Sequence, residues 1–203
     1  MRIIAIGCEY SGVSTLLNGL FEWGRQRHIH FHMDDHFTIP DAYHLSDEEQ
    51  AAMLDMLPAL KERFQRFQIV YHVRLINLYE HILLGGFHIE EEVYGPRYYY
   101  PGKQVSDTRR YENEMPADTL LVHLHARPDV IQRRMQAAPH PHTLISPDDV
   151  PQLLDAFDQQ YRQSWIQRKI AIDTSDSTPE QLLNAFFERA RGHLEPRDQF
   201  LLR

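Results

Sequence analysis

Several things are scarce in this chain. A single cysteine, Cys8, stands among 203 residues, which excludes an intramolecular disulfide and fits a reducing compartment. No stretch approaches the roughly 18 apolar residues of a membrane-spanning helix, so no membrane partner is expected. The amino end lacks the long apolar core and small-residue cleavage site of a secretory signal, and a cytoplasmic location is the expectation. Positive charge is also short. The formal net charge is −8, which argues against a non-specific nucleic-acid binder, because a basic footprint draws in a polyphosphate backbone. Only three lysines occur, Lys61, Lys103 and Lys169, so arginine supplies most of the cations. Arginine's planar fork suits phosphate recognition, although a bias in composition explains the preference equally well.

What remains is an ordinary globular composition, 42% apolar, 25% charged and 11% aromatic, in a chain long enough for one well-cored domain. Residues 2–6 (RIIAI) read as a strand buried on both faces. A glycine-containing turn follows, then a helix over 14–26. Residues 28–33 (HIHFHM) alternate histidine with apolar residues, as a strand does. Ser46 and Glu49 form a capping-box signal for a helix to about Met56, and Pro58 opens a longer one to about Tyr79. Further strands are expected at 81–84, 118–126 and 168–173. Ser146-Pro147-Asp148-Asp149 and Thr178-Pro179-Glu180 read as helix starts. Residues 194–203 read as a loosely held tail.

Strands spaced by helices imply parallel crossovers. The expected fold class is α/β, a doubly wound five-stranded parallel sheet flanked by helices, in one domain over 1–193. Ligands in such folds sit beyond the carboxyl ends of the strands. That rule selects the turn after Ile6, the acids after Met33, the loop after Leu84 and the segment after the fourth strand.

The turn is "GCEYSGVST", residues 7–15. It nearly matches G-x-x-x-x-G-K-[ST], with Gly7, Gly12 and Ser14 in place and Val13 at the lysine position. Two glycines alone would make no more than a tight turn. Between a buried strand and an amphipathic helix, however, the backbone N–H groups of Gly7, Cys8, Glu9, Tyr10, Ser11, Gly12, Val13, Ser14 and Thr15 converge on a phosphate. Ser14 stands where a hydroxyl ligates Mg²⁺. The missing lysine would have followed charge in the transition state.

In this setting the chain resembles the P-loop nucleoside and nucleoside-monophosphate kinases of the thymidylate kinase and deoxynucleoside kinase group, over about residues 1–193. The resemblance rests on "IIAIGCEYSGVSTL", "VYGPRYY", "LLVHLHARPDVIQRRM" and "IAIDTS". It implies ATP and Mg²⁺ as cofactors, a nucleoside or nucleotide as small-molecule partner, and a short lid around 133–147. Asp34 and Asp35 stand where the group places the carboxylate that handles the acceptor hydroxyl, with solvated loop acids as the alternative. Arg133 and Arg134 are the lid cations. Phe87, Glu90, Tyr94 and Arg97 fall in the acceptor region. The sequence departs from the group at Val13 and at Gly85-Gly86, where Asp-Arg or Glu-Arg is common; Glu90, Glu91 or Glu92 could supply a displaced carboxylate. Phosphoryl transfer is one expectation, and a catalytically impaired nucleotide-binding sensor or scaffold is the other.

Two further patterns have plain structural readings beside functional ones. His28, His30 and His32, with His36 beyond, invite a metal-dependent hydrolase, yet thirteen histidines look compositional. Tyr98, Tyr99 and Tyr100 could stack on a base or pack helices. The helix bearing Phe64, Phe67, Val70, Leu75 and Leu78 reads as core or as a homodimer seam.

Overall fold

The computed structural model describes residues 1–35, 39–40, 45–102, 107–140 and 143–202. His36, Lys103 and residues 141–142 of the expected lid lie outside them. Five strands, β1 (Arg2–Ile6), β2 (His32–Asp34), β3 (Ile82–Gly85), β4 (Thr119–His125) and β5 (Arg168–Asp173), form one sheet in the order β2-β3-β1-β4-β5. Every pairing is parallel. The expected α/β architecture is therefore the observed one. Between the strands run α1 (Val13–Gln26), α2 (Asp47–Leu54), α3 (Pro58–Leu78), α4 (Phe87–Tyr94), α5 (Pro128–Ala137) and α6 (Val150–Gln163), with α7 (Pro179–Ala190) and α8 (Pro196–Leu201) after β5.

Alternation along β1 sorts the core into two layers. Ile4 and Ile6 join Leu84, Leu121, Val73 and Phe157 on one face. Ile3 and Ala5 join Leu83, Val122, Leu16 and Phe186 on the other. Both faces of β1 are buried, as its unbroken apolar run requires.

Three local readings need correction. The histidine alternation is only partly strand, because β2 is confined to 32–34. His28 takes a left-handed conformation (φ 58°) and the Ile29 N–H donates to the Gly24 carbonyl at 2.9 Å, closing α1. Ile29 and Phe31 are buried as the end of that helix packs, while His28 and His30 are exposed. The helix expected at Ser146 begins instead at Val150. The Asp149 carboxylate accepts from the Ser146 N–H and the Tyr98 hydroxyl, which holds 147–149 as a turn ahead of the helix. Finally, the expected loose tail contains α8. Asp198 is 2% exposed there and lies 3.2 Å from the Met1 ammonium, an ion pair whose disruption would strand a buried charge.

Candidate active-site cleft

The loop between β1 and α1 folds as it does because of two glycines. A Cβ on Gly7 would collide with the Leu124 carbonyl oxygen and the Ser11 hydroxyl, so only glycine lets β1 end this close to β4. Gly12 has φ 103° at the N-cap of α1, a left-handed geometry that glycine adopts without strain. Within the loop the Ser11 N–H donates to the Cys8 carbonyl at 2.9 Å. The Glu9 N–H donates to the Tyr94 hydroxyl at 2.8 Å. Gly12 brings no side-chain cap, so the amides that open α1 keep the positive end of the helix available to an anion. Ser14 and Thr15 are exposed on that first turn and line the cleft. Val13 also borders the cleft while its side chain packs against the α1–α7 layer.

The cleft has a volume of about 750 Å³. On one side it runs from the loop to Thr174, Thr178 and Leu182; on the other it reaches Asp35, Glu90 and Tyr94. The two arginines expected in the lid part company here. Arg134 lines the cleft, donating to the Tyr10 carbonyl at 2.8 Å and, through its other terminal nitrogen, to the Thr174 carbonyl at 2.6 Å. Arg133 lies one residue earlier on α5, pairs with Asp129 a turn away, and stays at the surface. Tyr10 also meets the segment that follows α5, since the His140 ring stacks on it with centroids 4.2 Å apart.

The two aspartates after Met33 separate in the same way, because neighbouring strand residues face opposite layers. Asp34 accepts from His72 of α3, Oδ2 to Nε2 at 2.6 Å, and does not line the cleft. Asp35 does line it, and its carboxylate fills the space that a Cβ on Gly85 would take. A Cβ on Gly86 would likewise meet the Glu90 carboxylate. The residues that looked like a loss after the third strand thus make room for carboxylates arriving from β2 and α4. Glu90 is pushed well above the usual carboxylate range by burial, with Asp35 and Glu9 adding repulsion. Burial lifts Glu9 to about 7 and the Cys8 thiol to about 12. Cys8 is therefore a protonated core residue at neutral pH and contributes its backbone alone.

Of the remaining acceptor candidates, Glu90 and Tyr94 line the cleft. Phe87 is fully buried in the α3–α4 layer, edge-on to His72. Arg97 is exposed and donates to the Val93 carbonyl, capping α4. Tyr99 and Tyr100 are core residues, so the aromatic run packs the fold. Sequence reasoning missed Thr174, Asp47, Gln50 and His140, all of which line the cleft. Thr174 was the one with a signal, standing directly beyond β5, where such folds place ligands.

No protein-family model matches this sequence. A comparison with curated proteins finds no match either. Solved structures do match. YorR from Bacillus subtilis, determined in complex with phosphorylated GDP, has a TM-score of 0.60 at 14% identity, covering 96% of this chain and 99% of that one. Thymidylate kinase from Candida albicans has a TM-score of 0.57 at 13% identity over 94% and 91%. Shikimate kinase from Bacteroides thetaiotaomicron has a TM-score of 0.53 at 18% identity over 93% and 96%. At such identities the likeness shows the fold alone, a five-stranded parallel α/β sheet flanked by helices as in these structures. Among the described residues no helix is long and apolar enough to cross a membrane.

Proposed function

We propose that the chain is an ATP-dependent phosphotransferase whose acceptor is an uncharged hydroxyl compound, a nucleoside in preference to a nucleoside monophosphate. The observation that carries this reading is the distribution of charge in the cleft. Its α1 side offers uncapped amides, two hydroxyls and Arg134, which suit a polyphosphate. The β2–β3 side offers Asp35, Asp47, Glu90, Gln50 and Tyr94, with no guanidinium among the described residues there. A phosphorylated acceptor would press two negative charges against the Asp35 carboxylate in a space whose burial already disfavours charge on Glu90. A hydroxyl would find hydrogen-bond acceptors.

ATP with Mg²⁺ fits the residues present, because the cradle at Gly7 and the open helix start are what a phosphate chain needs. Ser14 would hold the ion, which supplies neutralisation of phosphate charge when bound. The acceptor oxygen attacks the terminal phosphorus, its proton passes to Asp35, and the bond to the β-phosphate oxygen breaks to leave ADP. Arg134 provides the positive charge that a lysine at position 13 would have given. The lid would be the expected segment around 133–147. Along α3, we further propose that Leu57, Leu60, Phe64, Phe67, Tyr71 and Leu78 pair with the same helix of a second copy.

The test is a steady-state assay of ATP, Mg²⁺ and a panel of nucleosides, sugars and monophosphates, with calorimetric binding of a non-hydrolysable ATP analogue alongside. Turnover with hydroxyl acceptors, lost in Asp35→Asn while the analogue still binds, supports the reading. Analogue binding without turnover of any acceptor overturns the transfer, and preference for monophosphates overturns the acceptor class.

A further inference from the structure

Behind the cleft, β2 and α3 assemble three ligand-type side chains that phosphoryl transfer leaves unused. His32 and Asp34 are two residues apart on β2 and so share a face. Their parallel partners, Ile82 and Leu84, belong to the core layer that α3 covers. His72, 2% exposed, enters from α3. One ligand atom from each of the three lies within 4.8 Å of the other two.

Each ligand is already held. The His32 ring stacks on Tyr79, centroids 4.6 Å apart and planes 3° from parallel. His32 Nε2 is buried without a hydrogen-bond partner among the described residues. His72 Nδ1 sits 2.8 Å from the Gln68 carbonyl oxygen. A carbonyl only accepts, so Nδ1 carries its proton and Nε2 is the atom turned to Asp34. His72 Nε2 lies 2.6 Å from the Asp34 carboxylate, a hydrogen-bond distance, and a metal binds there by displacing the Nε2 proton. A ring nitrogen donating to a backbone carbonyl while the other meets a metal is the usual supporting arrangement of a histidine ligand.

We propose that His32, Asp34 and His72 bind one transition-metal dication of the Zn²⁺ class. Two imidazoles and one carboxylate suit Zn²⁺, Fe²⁺ or Cu²⁺; all-oxygen sets suit Mg²⁺, so this site is separate from the ion that would accompany a nucleotide. Three protein ligands leave a coordination position for water. The metal clamps the end of β2 to α3 one residue before Asp35, which fixes the strand that delivers that carboxylate to the cleft.

The experiment uses tag-free full-length protein, stripped with chelator and titrated with Zn²⁺ and Co²⁺ alone, with metal content measured after dialysis. One equivalent per chain and a low-coordinate Co²⁺ absorption spectrum are expected. His72→Gln and His32→Gln weaken binding at least about tenfold, whereas His28→Gln, at an exposed position, leaves it unchanged. Should His72→Gln fail to fold, the half-exposed His32 decides, with circular dichroism as the control. No uptake by folded wild-type protein overturns the site, as does uptake unaltered by both substitutions. Neither result depends on whether the chain transfers phosphate.

Discussion

The carboxylate of Asp35 occupies the volume into which a side chain on Gly85 would grow. Gly85 therefore cannot gain a side chain without moving Asp35. Gly85→Ala should turn Asp35 away from the cleft, because the intruding methyl meets a charged group on one side and Leu17 on the other. A displaced general base costs about 10²-fold in rate. Steady-state kinetics should show that loss in kcat, with affinity for an ATP analogue nearly unchanged. An unaltered kcat would remove Asp35 from its assigned role.

Arg133 and Arg134 provide an internal control. Arg134→Ala removes the links from α5 to the Tyr10 and Thr174 carbonyls together with the one guanidinium that lines the cleft among the described residues. It should lower kcat/KM for ATP by about 10²-fold, the usual effect of deleting a placed electrostatic group. Arg133→Ala touches a solvent-exposed pair of the kind worth little and should change kcat/KM less than about threefold. Equal effects from the two variants would mean that the charge of α5 acts as a whole.

Val13 can be asked directly whether the missing ammonium limits the protein. A lysine there can lay its stem over the apolar layer that Val13 now covers and carry its charge into the cleft. Val13→Lys should raise kcat/KM for ATP about tenfold. A drop in activity, with the new lysine paired to Glu90 or Asp35, would show that the acidic side of the cleft is incompatible with the usual motif.

Two buried acids make stability depend on pH. Burial raises Glu91 to about 8 and Glu9 to about 7, from an ordinary 4.5. The folded state binds these protons more tightly than the unfolded one, so stability is fullest below about pH 4.5 for these groups and declines as pH rises towards 8. Scanning fluorimetry from pH 5 to 8 should show Tm falling by about 5 °C. Glu91→Gln, which replaces a 5% exposed carboxyl with a group that cannot ionise, should flatten that slope and gain most at pH 8.

Much of this was legible beforehand, for physical reasons. RIIAI, ILLG and TLLVHLH are apolar runs too short for buried helices and flanked by turn residues, so strands were readable at their places. Gly7 and Gly12 marked the tight turn between β1 and α1 because position and neighbours agreed. Which aspartate faces the cleft was not readable, since a one-residue shift in where β2 ends exchanges their faces. The meaning of Gly85-Gly86 was hidden as well. Glycine reports that space is needed, and the carboxylates filling it come from Asp35 just beyond β2 and from Glu90 one turn along α4.

The last relationship lies on the outer face of α3. Leu57, Leu60, Phe64, Phe67, Tyr71 and Leu78 recur at spacings of three and four, with Arg74 completing the series, the 3.5-residue period of a helix seam. Ile69, Val73 and Ile76 on the opposite side of the helix are buried in this chain, and of the stripe Phe64 packs partly against the core. Leu57, Phe67 and Leu78 are 68%, 68% and 72% exposed, and Phe67 stacks with Tyr71. Over 21 residues the helix is about 30 Å long, enough for two copies to lie antiparallel across a two-fold axis and cover the stripe. Light scattering coupled to size exclusion should give twice the chain mass for wild-type protein and the single mass for Phe67→Glu, with helix content and ATP-analogue binding retained. A monomer at every concentration tested would leave the seam without its second copy.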